Sequence, residues 1–252
     1  MKSLLNLRKK KTPPAIEPLA SAFPVLRDAE IAAAFAGQRC AGDFYDSFRV
    51  SPCRVLFGLL DVAGRRAQNQ GILAMAQRVF REVGSELLAP TDANESDAMT
   101  ELCLQLNRTI MEEAGGVHSS PAFAGCYNED LGILCYFNCG HTPALVRHAT
   151  DVSELGATGL PLGLFSLATA EARLIAMEPG AALVLVSRGV VEAECRREEF
   201  GLARVEAALK SAQLTTARDV CRSILDDVQR FACAEPIHDD ITALALVRSN
   251  PS

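Results

Sequence analysis

The sequence predicts an α+β fold in which two antiparallel β-sheets pack face to face and helices flank them on the outside. Three observations predict it. Short apolar runs recur along the chain, several of them bounded by Gly, Pro, Asn or Asp, as strands ending in turns require. Between groups of these runs lie longer stretches whose apolar residues return every three or four positions, the period of a helix with one buried face. Hydrophobic residues make up 49% of the 252 positions, enough for a substantial core, and hairpins separated by long helices pack most simply as a sandwich with helices over it.

In chain order, strands are expected at residues 48–50 and 55–60. A helical stretch follows, carrying Ile72, Met75, Val79, Val83 and Leu87, then a second carrying Leu102, Leu106 and Ile110. Strands are next expected at 122–127, 133–138, 144–147, 172–176 and 182–186. Two late helices fall at about 201–211 and 216–232, the second marked by Ala217, Val220, Ile224, Val228 and Phe231, before a last strand at 242–247. From about residue 20 onward no linker, low-complexity segment or repeat interrupts the pattern, so residues 21–250 read as one domain. Residues 1–20 hold a basic cluster, Arg8 to Lys11, with too few apolar neighbours for a signal sequence or a membrane span, and read as a flexible tail.

The net charge of −6 and a pI near 5.3 argue against a nucleic-acid footprint over the whole surface. Nine cysteines occur without a C-x-x-C pair, so they are expected to stay reduced and partly buried in a cytoplasmic fold. Cys135, Cys139 and His141 form the tightest cluster, but their spacing fits no zinc finger and no second pair follows, so they read as core and turn.

The acidic residues sit at strand boundaries. Asp61 closes "RVLFGLLD" ahead of the turn "VAG"; Asp239 and Asp240 introduce the final strand; Asp43 and Asp46 lie in "AGDFYD". Carboxylates exposed at strand ends beside glycines suit a hard divalent cation, because Mg²⁺ and Mn²⁺ prefer oxygen ligands. Aspartate is also a common turn residue for local hydrogen-bonding reasons, so the order of the set carries more than any one member. No serine, cysteine or histidine stands out as an activated nucleophile, and "GRRAQNQG" lacks the lysine and hydroxyl pair of a P-loop.

Seven segments in order, "AGDFYD", "LFGLLDVAG", "FNCGHTPALV", "GLPLGL", "LVLVSRGVVEA", "EFG" and "HDDITALAL", resemble the landmarks of the SpoIIE-like branch of the PPM (type 2C) metal-dependent serine/threonine phosphatases. The resemblance implies the same helix-flanked sandwich. It also implies a pair of Mn²⁺ or Mg²⁺ ions that activate water for attack on a phosphoserine or phosphothreonine, with no covalent intermediate. Under it Asp61 matches the aspartate that bridges the metals, the Val62 carbonyl an adjacent ligand and Asp239 the aspartate before the last strand. Asp43 matches a supporting carboxylate of the catalytic set; Asp46 and Asp240 match family positions without a direct metal bond. Gly42, Gly64 and Gly189 match loop positions near the site, and His141 a histidine whose role is structural, holding its turn through a ring hydrogen bond.

One departure stands inside a motif. Where the family has an aspartate ligand in a T-D-G turn, this chain has Ser187, Arg188 and Gly189. A guanidinium in place of a carboxylate alters the local charge by about two units, and a like charge about 4 Å from a cation costs on the order of 4 kcal/mol at an effective dielectric near 20. At most one tight Mn²⁺ or Mg²⁺ site is therefore expected. After "DVAG", Arg65 and Arg66 replace the family's usual histidine or lysine and glycine. The three arginines either pair with Asp61 and Asp239 in place of metal or grip a substrate phosphate, and Arg65 and Arg66 also read simply as solvated. Two functions stay open: a working phosphatase with one ion, Glu192 or Asp43 being the nearest substitute ligands, and a pseudophosphatase that recognises a phosphorylated partner without hydrolysing it. The resemblance implies a phosphorylated anti-sigma-factor antagonist as partner. Nucleic acid and stable membrane insertion are not expected, and a homodimer stays open.

Overall fold

A computed structural model describes residues 22–36, 42–149, 151–166, 168, 170–211, 216–232 and 239–250; the tail expected at 1–20 lies outside the described residues. Twelve strands and five helices are assigned among them: β1 (Ala29–Ala36), β2 (Asp43–Arg49), β3 (Arg54–Asp61), α1 (Arg66–Leu88), α2 (Glu95–Ala114), β4 (Ala122–Asn128), β5 (Ile133–Cys139), β6 (Ala144–His148), β7 (Asp151–Leu155), β8 (Arg173–Ala176), β9 (Ala182–Val186), α3 (Arg188–Val191), β10 (Glu194–Cys195), β11 (Glu198–Glu199), α4 (Gly201–Ser211), α5 (Ala217–Phe231) and β12 (Ile241–Arg248). One five-stranded sheet has the order β1-β12-β9-β6-β7 and the other β2-β3-β4-β5-β8, with β10 and β11 forming a separate hairpin. All named pairs are antiparallel.

The alternation of side chains along each strand builds four layers. Val55, Phe57 and Leu59 of β3 face the other sheet and meet Leu183, Leu185, Leu244 and Leu246 there. Their neighbours Leu56 and Leu60 point the opposite way, under Leu73, Met99, Leu102 and Ile110 of α1 and α2. In the first sheet Val184, Val186, Ala243 and Ala245 turn outward onto Val205, Val220, Ile224 and Val228 of α4 and α5. Because both faces of each sheet are covered, the central strands read as continuous apolar runs rather than as alternating ones. Each fully buried large side chain, such as Phe57, contributes about 1.5–3 kcal/mol.

Local chemistry ends the helices. Asn94 caps α2 by accepting from the amides of Ser96 and Asp97, and Gly115 stops it at φ 65°. Thr216 caps α5 by accepting from the Asp219 amide.

The expected α+β sandwich is the observed one, with differences in detail. The strand expected at 48–50 is the end of β2, which begins at Asp43. β1 and β7 were not expected: β1 reads AEIAAAFA, with little β-branched content, and β7 reads DVSEL with a single buried residue, as an edge strand does. The turn expected at Arg188 is the first residue of α3. Cys195 is disulfide-bonded, which corrects the expectation of nine reduced thiols. Six other cysteines are free. No helix among the described residues is long and apolar enough to cross a membrane.

Candidate active site

Two strand ends from each sheet converge on one crevice. In the second sheet Asp43, the first residue of β2, is the register partner of Asp61, the last residue of β3. Asp61 shares its parity with Val55, Phe57 and Leu59, so both carboxyls lie on the face turned toward the first sheet. There β9 runs out into Ser187 and α3, and β12 is entered through Asp239 and Asp240. Ser187 staples these two ends together. Its amide donates to Thr242 O at 2.9 Å; its hydroxyl donates to Asp240 O at 2.8 Å and accepts from the Thr242 amide at 3.0 Å.

Arg188 lies among the carboxylates. Its Nη2 donates to Asp239 Oδ2 at 3.1 Å, and its Nε lies 3.7 Å from Asp61 Oδ2 and 3.7 Å from Glu192 Oε2, one helical turn on. The arginine side chain is 50% exposed and that of Asp61 only 6%. With the guanidinium half in solvent, each such pair contributes on the order of 1 kcal/mol or less. Burial raises the Asp61 pKa above the usual carboxylate range, and Arg188 pulls it back while Asp239, Asp240 and Glu192 add to the rise. Asp43 is buried more fully. Desolvation and the neighbouring Asp61 charge lift its pKa to about 8, against hydrogen bonds to Thr242 and Ser187.

The backbone around these groups tolerates little bulk. A Cβ on Gly42 would stand 1.9 Å from Val62 O, and one on Gly189 2.2 Å from Asp240 O; only glycine permits either approach. The loop after Asp61 is held from three sides: Val62 N donates to Gly42 O at 3.2 Å, Ala63 N to Ser119 O at 3.1 Å, and Asn69 Nδ2 of α1 to Ala63 O at 2.9 Å and Val62 O at 3.4 Å. Gly64 takes φ 102° in the same loop.

The structure thus brings together Asp43, Asp61, Asp239, Asp240, Arg188, Glu192, the Val62 carbonyl, Gly42 and Gly189. The carboxyls were expected to be exposed; Asp43, Asp61 and Asp240 are instead buried, because the two sheets close over them. Asp46 is not part of this group. It lies on the other face of β2, where Arg81 Nε and Nη2 bond it bidentately at 2.7 Å each and Gln77 adds a bond at 3.0 Å. Arg65 is exposed at the N-cap of α1, a position without a side-chain cap bond, and the Arg66 side chain lies outside the described residues. His141 is buried; its amide donates to Asn138 Oδ1 at 2.8 Å and its ring Nδ1 lies 3.0 Å from Thr142 O, which makes Nδ1 the protonated nitrogen. Burial drives its pKa down to about 4. Sequence reasoning missed Thr242, Asn69 and the bonding role of Ser187, since each acts through a partner distant in the chain.

This donor set does not fit the pair of ions that the resemblance implies. Asp43 is engaged by two hydroxyls, Asp61 and Asp239 face a guanidinium, and no group of three or more His, Cys, Asp or Glu among the described residues could hold a metal ion.

Comparison with known proteins agrees with this geometry at the level of fold. The sequence profile described as Stage II sporulation protein E (SpoIIE) matches residues 51–249. Protein IcfG of Synechocystis sp. is 23% identical over 249 residues, covering 90% of this chain and 39% of that protein. Among solved structures, the RsbU and RsbW domains of Rv1364c from Mycobacterium tuberculosis superpose with a TM-score of 0.74 at 21% identity, over 94% of this chain and 64% of that one. The PP2C phosphatase domain and regulatory fragment of Bacillus subtilis SpoIIE gives 0.72 at 16% identity, over 89% and 64%. The SiaA-PP2C domain of Pseudomonas aeruginosa gives 0.72 at 16% identity, over 87% and 86%. The chain therefore spans 39% of the curated relative's length and 64% of the first two structures.

Proposed function

Because the chain belongs to the SpoIIE family of PPM-type phosphatase domains, we propose that it acts in a cytoplasmic partner-switching pathway, as a single working unit over residues 21–250. Its crevice recognises a phosphoserine- or phosphothreonine-bearing protein while hydrolysis is disabled. The observation that carries this reading is the placement of Arg188, whose guanidinium faces Asp61 and Asp239 where the resemblance implies a metal-ligand carboxylate.

The inner edge of that guanidinium is held by the carboxylates, and its outer half is open to solvent. A phosphoryl group meeting the open edge finds a planar, permanently charged donor. Arg65 stands exposed a few residues beyond Asp61, at the start of a helix with no acidic residue in its first turn, where an anion is favoured by the helix dipole. The surrounding carboxylates oppose a dianion, so recognition depends on these cations. The partner class the resemblance offers is a phosphorylated anti-sigma-factor antagonist.

A second reading, a hydrolase using one Mn²⁺ or Mg²⁺, is favoured by the same exposure: a guanidinium half in solvent with Glu192 beside it can rotate outward and leave Asp61 and Asp239 to an ion. Calorimetric titration with MnCl₂, run beside p-nitrophenyl phosphate hydrolysis and binding of a phosphoserine-bearing antagonist, separates the two. Tighter binding of the phosphorylated than of the unphosphorylated antagonist, with no more than one ion bound and no Mn²⁺-dependent turnover, is the expected result. Turnover that rises with Mn²⁺ would overturn the non-hydrolytic reading.

A further inference from the structure

Away from the crevice, two thiols stand in contact. Cys103 of α2 and Cys139, the last residue of β5, are 36 positions apart in sequence and have their sulfurs 3.4 Å apart, and both side chains are buried in the layer between α1, α2 and the second sheet. We propose that Cys103 and Cys139 are an oxidisable pair that closes to a disulfide in the presence of a peroxide, clamping α2 to the crevice end of the second sheet.

Cys139 belongs to that end. Asp61 donates from its amide to Pro121 O at 2.8 Å, Ala122 is bridged to Gly140, and Cys139 itself is bridged to Gly159, so Cys139 is two strands from Asp61 at the same sheet margin. A bond from α2 to this point ties the outer helix layer to the strand ends that shape the crevice. The pair is also chemically asymmetric. The Cys103 thiol is held below its ordinary range by its hydrogen bond with Cys139, and the Cys139 thiol is pushed well up by the same contact and by burial. Cys126, Cys135 and Cys221 are all raised, each chiefly by desolvation. Cys103 is thus the better nucleophile, with Cys139 in place to resolve it.

The Cys103 thiolate attacks one peroxide oxygen; the O–O bond breaks and the departing hydroxide takes a proton, leaving water and a sulfenic acid on Cys103. The Cys139 sulfur then attacks the Cys103 sulfur, the S–O bond breaks, the S–S bond forms, and a second water leaves. Two thiols are oxidised and one peroxide is reduced. Because both sulfurs are buried, the reaction waits on opening of α2 and is slow in the folded chain.

The test exposes the full chain to hydrogen peroxide and maps disulfides by mass spectrometry without reduction. The expected result is a Cys103–Cys139 linked peptide, reversed by dithiothreitol, together with a rise of about 5–10 °C in the melting midpoint of the wild type, as closure of a loop of this length gives. Cys103→Ala and Cys139→Ala each abolish the link and the peroxide-induced rise. The proposal is overturned if both thiols remain free at a peroxide dose that has oxidised the half-buried Cys53, or if either links to another cysteine in preference.

Discussion

Arg188 donates to Asp239 at 3.1 Å while its Nε lies 3.7 Å from Asp61, so one side chain from the helix after β9 answers the last residue of β3 in one sheet and the approach to β12 in the other. Ser187, the residue before it, is fixed by three hydrogen bonds to Asp240 and Thr242, which sets the root of Arg188 at the sheet junction. Asp43 completes the arrangement as a buried carboxyl whose pKa is pushed up to about 8, first by desolvation and then by Asp61. The guanidinium lowers the repulsion among these acids, and the raised pKa of Asp43 acts in the same direction.

Asp46 tests whether proximity in sequence to Asp43 means a shared role. Its carboxylate is buried and held by Arg81 at 2.7 Å on both oxygens. Arg81→Leu leaves that charge without its cation and is expected to cost about 3 kcal/mol in urea unfolding, whereas Asp46→Asn combined with Arg81→Leu costs clearly less. Equal losses in the single and double variants would show that the pair is not what holds α1 to β2.

Gly42 carries a steric prediction. With a Cβ 1.9 Å from the Val62 carbonyl, Gly42→Ala must push β2 away from the loop after Asp61. Destabilisation on the order of 3 kcal/mol is expected. Gly156→Ala, where nothing lies within 4 Å, serves as the control and stays within about 0.5 kcal/mol. Indistinguishable unfolding midpoints for the two would refute the close approach.

His141 gives the pH dependence. Its folded pKa, pulled by burial to about 4 from 6.5, lies below its unfolded value, so the unfolded chain binds more protons between these limits. The histidine's contribution is fully present above pH 6.5 and is lost as pH falls toward 4, with a slope of at most about 1.4 kcal/mol per pH unit. Asp43, with a folded pKa raised to about 8 from 3.8, works with the opposite sign: its contribution is fully present below pH 3.8 and fades as pH rises from there to about 8, so it opposes the histidine across the same window. The comparison is therefore with His141→Asn, which keeps a donor for Thr142 O and removes the titration. Between pH 6.5 and 4.5 the variant should lose less stability than the wild type; parallel curves would mean that the ring is not buried neutral.

The sandwich was legible because covered sheets write continuous apolar runs and α1, α2 and α5 keep a helical period. β1 was not, since alanine carries little strand preference and its partner, β12, lies more than 200 residues away in the chain. At the crevice, Asp61, Asp239 and Arg188 were visible as strand-end residues in a recognisable order. What the sequence could not convey was depth. Asp43 looked like an exposed turn acid until the register set it against Asp61 and the second sheet brought the hydroxyls of Ser187 and Thr242 to it. The same holds for Arg81 on Asp46, and for Cys103 against Cys139: each contact depends on a helix laid across a sheet, which no local pattern records.

The substitution at residue 188 can be reversed. Arg188→Asp would place a further carboxyl beside Asp61, Asp239 and Glu192, in place of the guanidinium. Without metal the added charge repels its neighbours, and the melting midpoint should fall by a few degrees, an effect of roughly 1 kcal/mol. With saturating Mn²⁺ the midpoint should recover and pass that of the wild type, since an ion that binds only the folded chain stabilises it by mass action. Hydrolysis of p-nitrophenyl phosphate should then rise at least about tenfold, equivalent to roughly 1.4 kcal/mol of barrier. Arg188→Ala removes the guanidinium without supplying a ligand and should recover little of either effect. If Arg188→Asp shows neither a Mn²⁺-dependent midpoint nor added turnover, the crevice is disabled elsewhere, and the buried, hydroxyl-bound Asp43 becomes the next residue to change.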